Sequence, residues 1–173
     1  MEIRNSIKII LLNSKNELLL ICTDDKSIKN SEGKYNGKFW QLVGGKIEEG
    51  ESYLEAATRE LFEETSLTES DVEFGNIVWY GNVDLNIRGT ETRLNQSFIY
   101  AKTDKTDVNL RHLTDEEKPA VKFLKWMSLD EIKNCTDIIY PLVLPEYLPD
   151  ILNGNLPEEP IYIDLAKQPD KKF

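Results

Sequence analysis

Three glutamates, Glu60, Glu63 and Glu64, fall within five positions of the segment Arg59–Thr65, RELFEET. At about 100° per residue on a helix, all three lie on one side, within about a turn of each other. Like charges three and four positions apart repel and weaken a helix by a few tenths of a kcal/mol per pair. Two arrangements explain such crowding. One is a solvated face on which Arg59 bridges Glu55 and Glu63, both i,i+4 partners. The other is a site for a hard dication, since Mg²⁺ and Mn²⁺ take oxygen ligands and relieve carboxylate repulsion.

The residues upstream favour the second arrangement. Gly44-Gly45 closes an apolar stretch, FWQLV (39–43), just ahead of the acidic segment. Glycines there allow backbone groups to approach a metal or a phosphate closely. Ser52 followed by Glu55 is a capping box and marks where the acidic helix starts. Leu54, Ala57 and Leu61 recur at helical spacing and are expected to face the core.

The rest of the chain must hold this helix and its glycine turn. SIKIILLN (6–13) and ELLLICT (17–23) read as a hairpin of buried strands, and 24–38 as a polar loop. Residues 71–85 and 93–103 read as strands joined by a turn or loop at 86–92, and 104–119 as a long polar loop of the kind that is often functional. A strand at 120–127, a short helix at 128–134 and a Pro-interrupted helix at 141–154 ending at Gly154 complete the series. Strands flanking one strong helix, with helices late in the chain, predict an α/β fold in which helices cover both faces of a mixed sheet.

Composition bounds the function. With 173 residues, 40% hydrophobic and 30% charged, the chain is expected to form a single domain over 1–165, with 166–173 as a disordered tail. A net charge of −10 argues against nucleic-acid polymers and anionic membranes as partners, but not against a small phosphorylated ligand. Cys22 and Cys135 form no CxxC pair, and no signal-peptide or membrane-spanning pattern is present, so a cytoplasmic setting is the default. The one histidine, His112, sits in a polar stretch and reads as a surface residue.

GGKIEEGESYLEAATRELFEETSL (44–67) resembles the Nudix box, G-x5-E-x7-R-E-U-x-E-E-x-G-U with U a bulky aliphatic. Gly45, Glu51, Arg59, Glu60, Leu61, Glu63, Glu64 and Leu67 match, and Ser66 stands where the family has glycine. The likeness extends over roughly 5–165 and implies a Nudix-type α/β/α sandwich. It implies a metal-dependent hydrolase of a nucleoside diphosphate linked to another moiety, in which water attacks phosphorus. Glu60, Glu63, Glu64 and the Gly44 carbonyl are then metal ligands for Mg²⁺ or Mn²⁺, with Glu51 supporting the site and Arg59 orienting a glutamate through its rigid fork. The general base is a box glutamate or an acid from TDEEKP (114–119), where Glu117 is favoured over Glu116. A catalytically silent nucleotide-binding or sensing module of the same fold is the alternative.

Substrate contacts are more open. Tyr35, Phe39, Trp40, Trp79 and Tyr80 are aromatic candidates for stacking on a base, with a role in the core as the competing reading for each. Lys34, Lys38, Lys46, Arg88 and Arg93 are candidates for phosphate, with Lys46 foremost because it follows the glycines. Residues 68–118 contain no proline, a departure from the ADP-ribose pyrophosphatase pattern. A nucleoside triphosphate or other small nucleotide derivative is therefore the expected partner, and a homodimer is compatible with the chain.

Overall fold

The computed structural model describes residues 1–24, 28–29 and 38–167. Its frame is a mixed sheet. Strands β1 (Glu2–Leu12) and β2 (Leu18–Thr23) form the expected hairpin, closed at Asn13. The Asn13 side chain accepts from the N–H groups of Lys15 and Glu17, both at 3.0 Å, an Asx turn of the kind that makes Asn a strong turn former. After β3 (Ile28–Lys29) comes β4 (Phe39–Lys46), then helix α1 (Tyr53–Thr65) and a short 3₁₀ turn (Glu69–Asp71). Strands β5 (Val72–Ile87) and β6 (Thr90–Thr103) follow, then β7 (Val121–Met127), α2 (Leu129–Asn134), β8 (Ile138–Tyr140), α3 (Leu144–Leu152) and β9 (Ile161–Tyr162). Among the described residues the strands run β3-β5-β6-β1-β2-β4-β8, with β7 on β2 and β9 on β5. β1 pairs parallel with β6 and antiparallel with β4.

Period-two alternation along β1 divides the core. Ile7, Ile9 and Leu11 pack with Ala56, Ala57 and Leu61 of α1. Ile10 and Leu12 join the other cluster, with Leu144, Leu148 and Ile151 of α3. Each fully buried Ile or Leu stabilises by roughly 1.5–3 kcal/mol, so both faces hold their helices by apolar contact. The result is the three-layer α/β/α arrangement expected from the sequence.

One expectation sharpens and two change. The turn or loop expected over 86–92 is a tight turn: β5 and β6 continue toward each other to two residues, Arg88-Gly89, with φ of 52° and 83°. Positive φ at both turn residues matches the twist of the flanking strands. Leu54 is 45% exposed and is no core residue, because the buried face of α1 is Ala56, Ala57, Glu60, Leu61, Glu64 and Thr65. Two of the acidic side chains are therefore inside, next to the apolar stripe. In the expected tail, Lys167 forms an ion pair with Glu146, while 168–173 lie outside the described residues.

Candidate active site

The site is assembled by the junction of β4, α1 and β1. β4 continues through the glycines to Lys46, and Gly44 and Gly45 lie opposite Lys8 and Ile7 of β1. Gly44 has φ of 143°, and a Cβ there would sit 2.1 Å from the Ile7 carbonyl oxygen. Only glycine fits such a backbone. Its N–H donates to Glu64 Oε1 at 2.7 Å. At Gly45 a Cβ would come 2.4 Å from Glu60 Oε1. The glycine pair thus clears room for two carboxylates that α1 drives inward.

Ser52 and Glu55 close the capping box predicted for the start of α1. This occupies Glu55, whose carboxylate accepts from the Ser52 N–H, and leaves Arg59 to other partners. Arg59 Nε and Nη2 donate to Glu51 at 2.8 and 2.9 Å, a two-pronged contact that suits a guanidinium. Nη2 also reaches the Lys46 carbonyl at 2.8 Å, while Nη1 donates to Glu60 Oε1 at 2.9 Å and Glu63 Oε2 at 3.4 Å. One arginine therefore ties the loop after β4 to the acidic helix.

Glu60 and Glu64 are only 7% and 4% exposed. Burial raises the Glu60 pKa to about 7, against the opposing pull of Arg59. Burial raises Glu64 well above the usual carboxylate range, with Lys8 and the Gly44 N–H acting the other way. Glu63 is raised by burial too, whereas the hydrogen bonds from Arg59 lower Glu51. Lys8 is lowered by burial, opposed by the charges of Glu64 and Glu60.

Glu117 joins this pair from the far side. Oxygens of Glu60, Glu64 and Glu117 lie within 4.8 Å of one another. Glu117 Oε1 accepts from the Thr114 hydroxyl at 2.9 Å. Glu116 lines the same cleft but is not part of that cluster. Neither is Glu51, whose oxygens are engaged by Arg59 and by the Glu48 N–H. Carboxylate oxygens converging in this way, with Arg59 and Lys8 only partly offsetting their charge, are the donor set that Mg²⁺ or Mn²⁺ accepts. The residues present fit such an ion.

These groups line a cleft of about 1070 Å³. Lys46, Arg88 and Phe39 are in its wall, and Phe39 meets Tyr140 edge-on at 5.4 Å. Other expectations fail. Trp40 packs in the core with its indole N–H on Asp137 at 3.1 Å, because its neighbours on that side are Cys22 and Ile139 instead of the cleft. Trp79 is core as well, while Tyr80 is exposed and pairs with Tyr162. Arg93 is not in the cleft wall: its guanidinium is held by Asp84 at 2.8 and 2.9 Å. Lys38 is 3.8 Å from Asp137. Lys34 and Tyr35 lie outside the described residues. Lys8 and Gln41, bonded at 3.3 Å in the cleft wall, escaped the sequence reading. A lysine inside the run SIKIILL is the signal that was available.

An α/β/α sandwich with acidic side chains gathered at a cleft defines a class of hydrolytic scaffold. The NUDIX domain family matches residues 2–146, and the chain belongs to the Nudix hydrolases. A curated relative, the RNA pyrophosphohydrolase of Pelagibacter ubique (strain HTCC1062), is 27% identical over 161 residues, covering 85% of this chain and 88% of its own. The fold is shared with the MutT protein of Methanosarcina mazei Go1, at a TM-score of 0.62 and 24% identity over 89% of this chain and 96% of that one. It is shared also with the dihydroneopterin triphosphate pyrophosphohydrolase of E. coli, at a TM-score of 0.61 and 14% identity over 89% and 99%. No helix among the described residues is long and apolar enough to cross a membrane.

Proposed function

We propose that this chain is a Mg²⁺- or Mn²⁺-dependent pyrophosphohydrolase of small nucleotides. The observation that carries the reading is the convergence of Glu60, Glu64 and Glu117 within 4.8 Å at a cleft of nucleotide size. Glu60, Glu63 and Glu64 would hold the metal, with the Gly44 carbonyl beside them and Glu51 acting through Arg59. A bound dication supplies charge neutralisation on the phosphates and a lowered pKa for the attacking water.

The side chains divide the remaining work. The Gly44 N–H fixes Glu64, and Arg59 fixes Glu60, so both carboxylates are oriented before substrate arrives. Glu117 comes from a loop, and Thr114 occupies one of its oxygens, leaving the other to accept the proton of the attacking water. The water oxygen bonds to phosphorus as the bridging P–O bond breaks and the leaving phosphate departs. Lys46 and Arg88 meet the phosphates, and Phe39 with Tyr140 offers an aromatic wall for the base.

A hydrolysis screen over nucleoside triphosphates, dinucleoside polyphosphates and nucleotide sugars tests this. The name of the curated relative makes RNA a further arm, although a net charge of −10 favours the small substrates. Turnover that requires Mg²⁺ or Mn²⁺ supports the reading. Nucleotide-dependent thermal stabilisation with no product in any arm supports instead a silent binding module.

A further inference from the structure

Ser66 ends α1 in the left-handed region, at φ 66° and ψ 6°. L side chains adopt this conformation at a cost, and the matching position of the Nudix box is glycine. The hydroxyl at Ser66 is fully engaged. Its oxygen is 2.6 Å from Asn109 Oδ1, 3.2 Å from the Asn109 carbonyl and 2.8 Å from His112 Nδ1. The hydroxyl has one proton to give among these neighbours, and His112 Nδ1 donates to it or accepts from it according to the ring tautomer. Alongside, the Asn109 N–H donates to the Thr65 carbonyl at 3.0 Å. The His112 ring lies 4.2 Å from that of Phe62. Residues 109–112 are therefore fastened to the last turn of α1 by side chains, and a glycine at 66 would supply none of the hydroxyl contacts.

The fastened segment matters for what it carries. Residues 104–120 run from β6 to β7 without helix or strand and end in the turn that bears Glu117. Its other ties include the Trp126 indole N–H to the Thr106 carbonyl at 3.1 Å, the Asp24 N–H to the Ala120 carbonyl at 2.8 Å, the packing of Val108 and the burial of Leu113. Glu64 and Glu60 lie about half a turn and about one and two-thirds turns back along α1 from its C-cap, Ser66. We propose that Ser66, with Asn109 and His112, is a latch that sets the loop acid Glu117 against the helix acids Glu60 and Glu64. Ser66 is a positioning residue: it touches neither substrate nor metal and acts through the loop. The inference rests on the reading of Glu117 as a reacting group.

Ser66→Gly and Ser66→Ala separate the latch from the strain. Both remove the hydroxyl, but only glycine relieves the left-handed backbone. In both variants the amides of residues 109–117 should exchange hydrogen faster, and kcat in saturating Mg²⁺ should fall about ten- to a hundredfold with a smaller change in KM. Ser66→Gly should nevertheless melt above Ser66→Ala, so activity follows the hydroxyl and not stability. The double variant S66G/E117Q should be no slower than E117Q alone, because the latch has nothing left to position. Parental kcat in S66G, with E117Q inactive, overturns the proposal. If E117Q itself keeps parental kcat, the reading of Glu117 fails, and the latch then stands or falls on exchange: unchanged protection of 109–117 in S66G overturns it.

Discussion

Replacing Gly45 by alanine should disable the site while leaving the fold in place. Gly45 is not among the positive-φ residues, so alanine can adopt its backbone without strain. The added Cβ, however, would land 2.4 Å from Glu60 Oε1, 2.7 Å from its Cδ and 2.9 Å from Oε2. An ordinary contact needs at least about 3.4 Å, so the carboxylate must retreat by about 1 Å. It has little room, since Glu60 is nearly buried and bonded to Arg59 at 2.9 Å. Overpacking of this kind costs ~1–3 kcal/mol of stability. A misplacement of that size in a group that orients the reaction costs about a hundredfold in rate, or ~2.7 kcal/mol of barrier. The assay is kcat in saturating Mg²⁺, with a Mg²⁺ titration to read metal affinity. Gly154→Ala is the control: it strains a left-handed residue with nothing within 4 Å, far from the carboxylates, and should lower the melting temperature with kcat unchanged. A G45A kcat within twofold of the parent would refute the seating of Glu60 against the glycine turn.

Arg59→Ala frees Glu51, Glu60 and Glu63 at once, and Mg²⁺ affinity and kcat should both fall at least tenfold; Arg59→Lys should not restore them, since an ammonium cannot reproduce the two-pronged contact with Glu51. The metal-free protein should lose stability as pH rises. Glu60 titrates near 4.5 unfolded and about 7 folded, so its contribution is full below pH 4.5 and is lost as pH passes through 7, by ~3 kcal/mol at most. Glu63 and Glu64 shift in the same direction, while Lys8 and Arg59 moderate all three. Melting curves with chelator from pH 5 to 8 check this: E60Q should flatten the slope, Mg²⁺ should stabilise more at pH 8 than at pH 5, and a slope unchanged in E60Q would contradict it.

Much of this was legible in the sequence because it is local. Ser52 and Glu55 announce a helix start, and Gly44-Gly45 before a run of glutamates announces a close backbone approach beside acids. The nearly continuous apolar run in SIKIILL foretells a strand buried on both faces, as Ile9 and Ile10 show by joining different clusters. What stayed hidden depends on register and long-range pairing. Trp40 and Phe39 are neighbours in sequence, yet only Phe39 reaches the cleft, because adjacent strand residues face opposite ways. Arg93 looked free until β5 placed Asp84 across from it. Lys8 reads as an interruption of an apolar strand until the pairing of β1 with β4 sets it beside the glycines. Ser66 reads as a blemish in a motif until Asn109 and His112, more than forty residues on, come back to meet it.

If Glu60, Glu63 and Glu64 hold a dication while Glu117 takes the proton of the attacking water, Glu64→Gln should disable nucleotide hydrolysis. Glutamine keeps the shape and can still accept from the Gly44 N–H, but it removes the charge at the most buried carboxylate of the three. Steady-state hydrolysis of the best substrate from the nucleotide screen should proceed in Mg²⁺ and stop in chelator, and E64Q should lose at least a hundredfold in kcat, or ~2.7 kcal/mol, while melting at or above the metal-free parent. Turnover that persists in chelator, or an E64Q variant as active as its parent, would contradict the account.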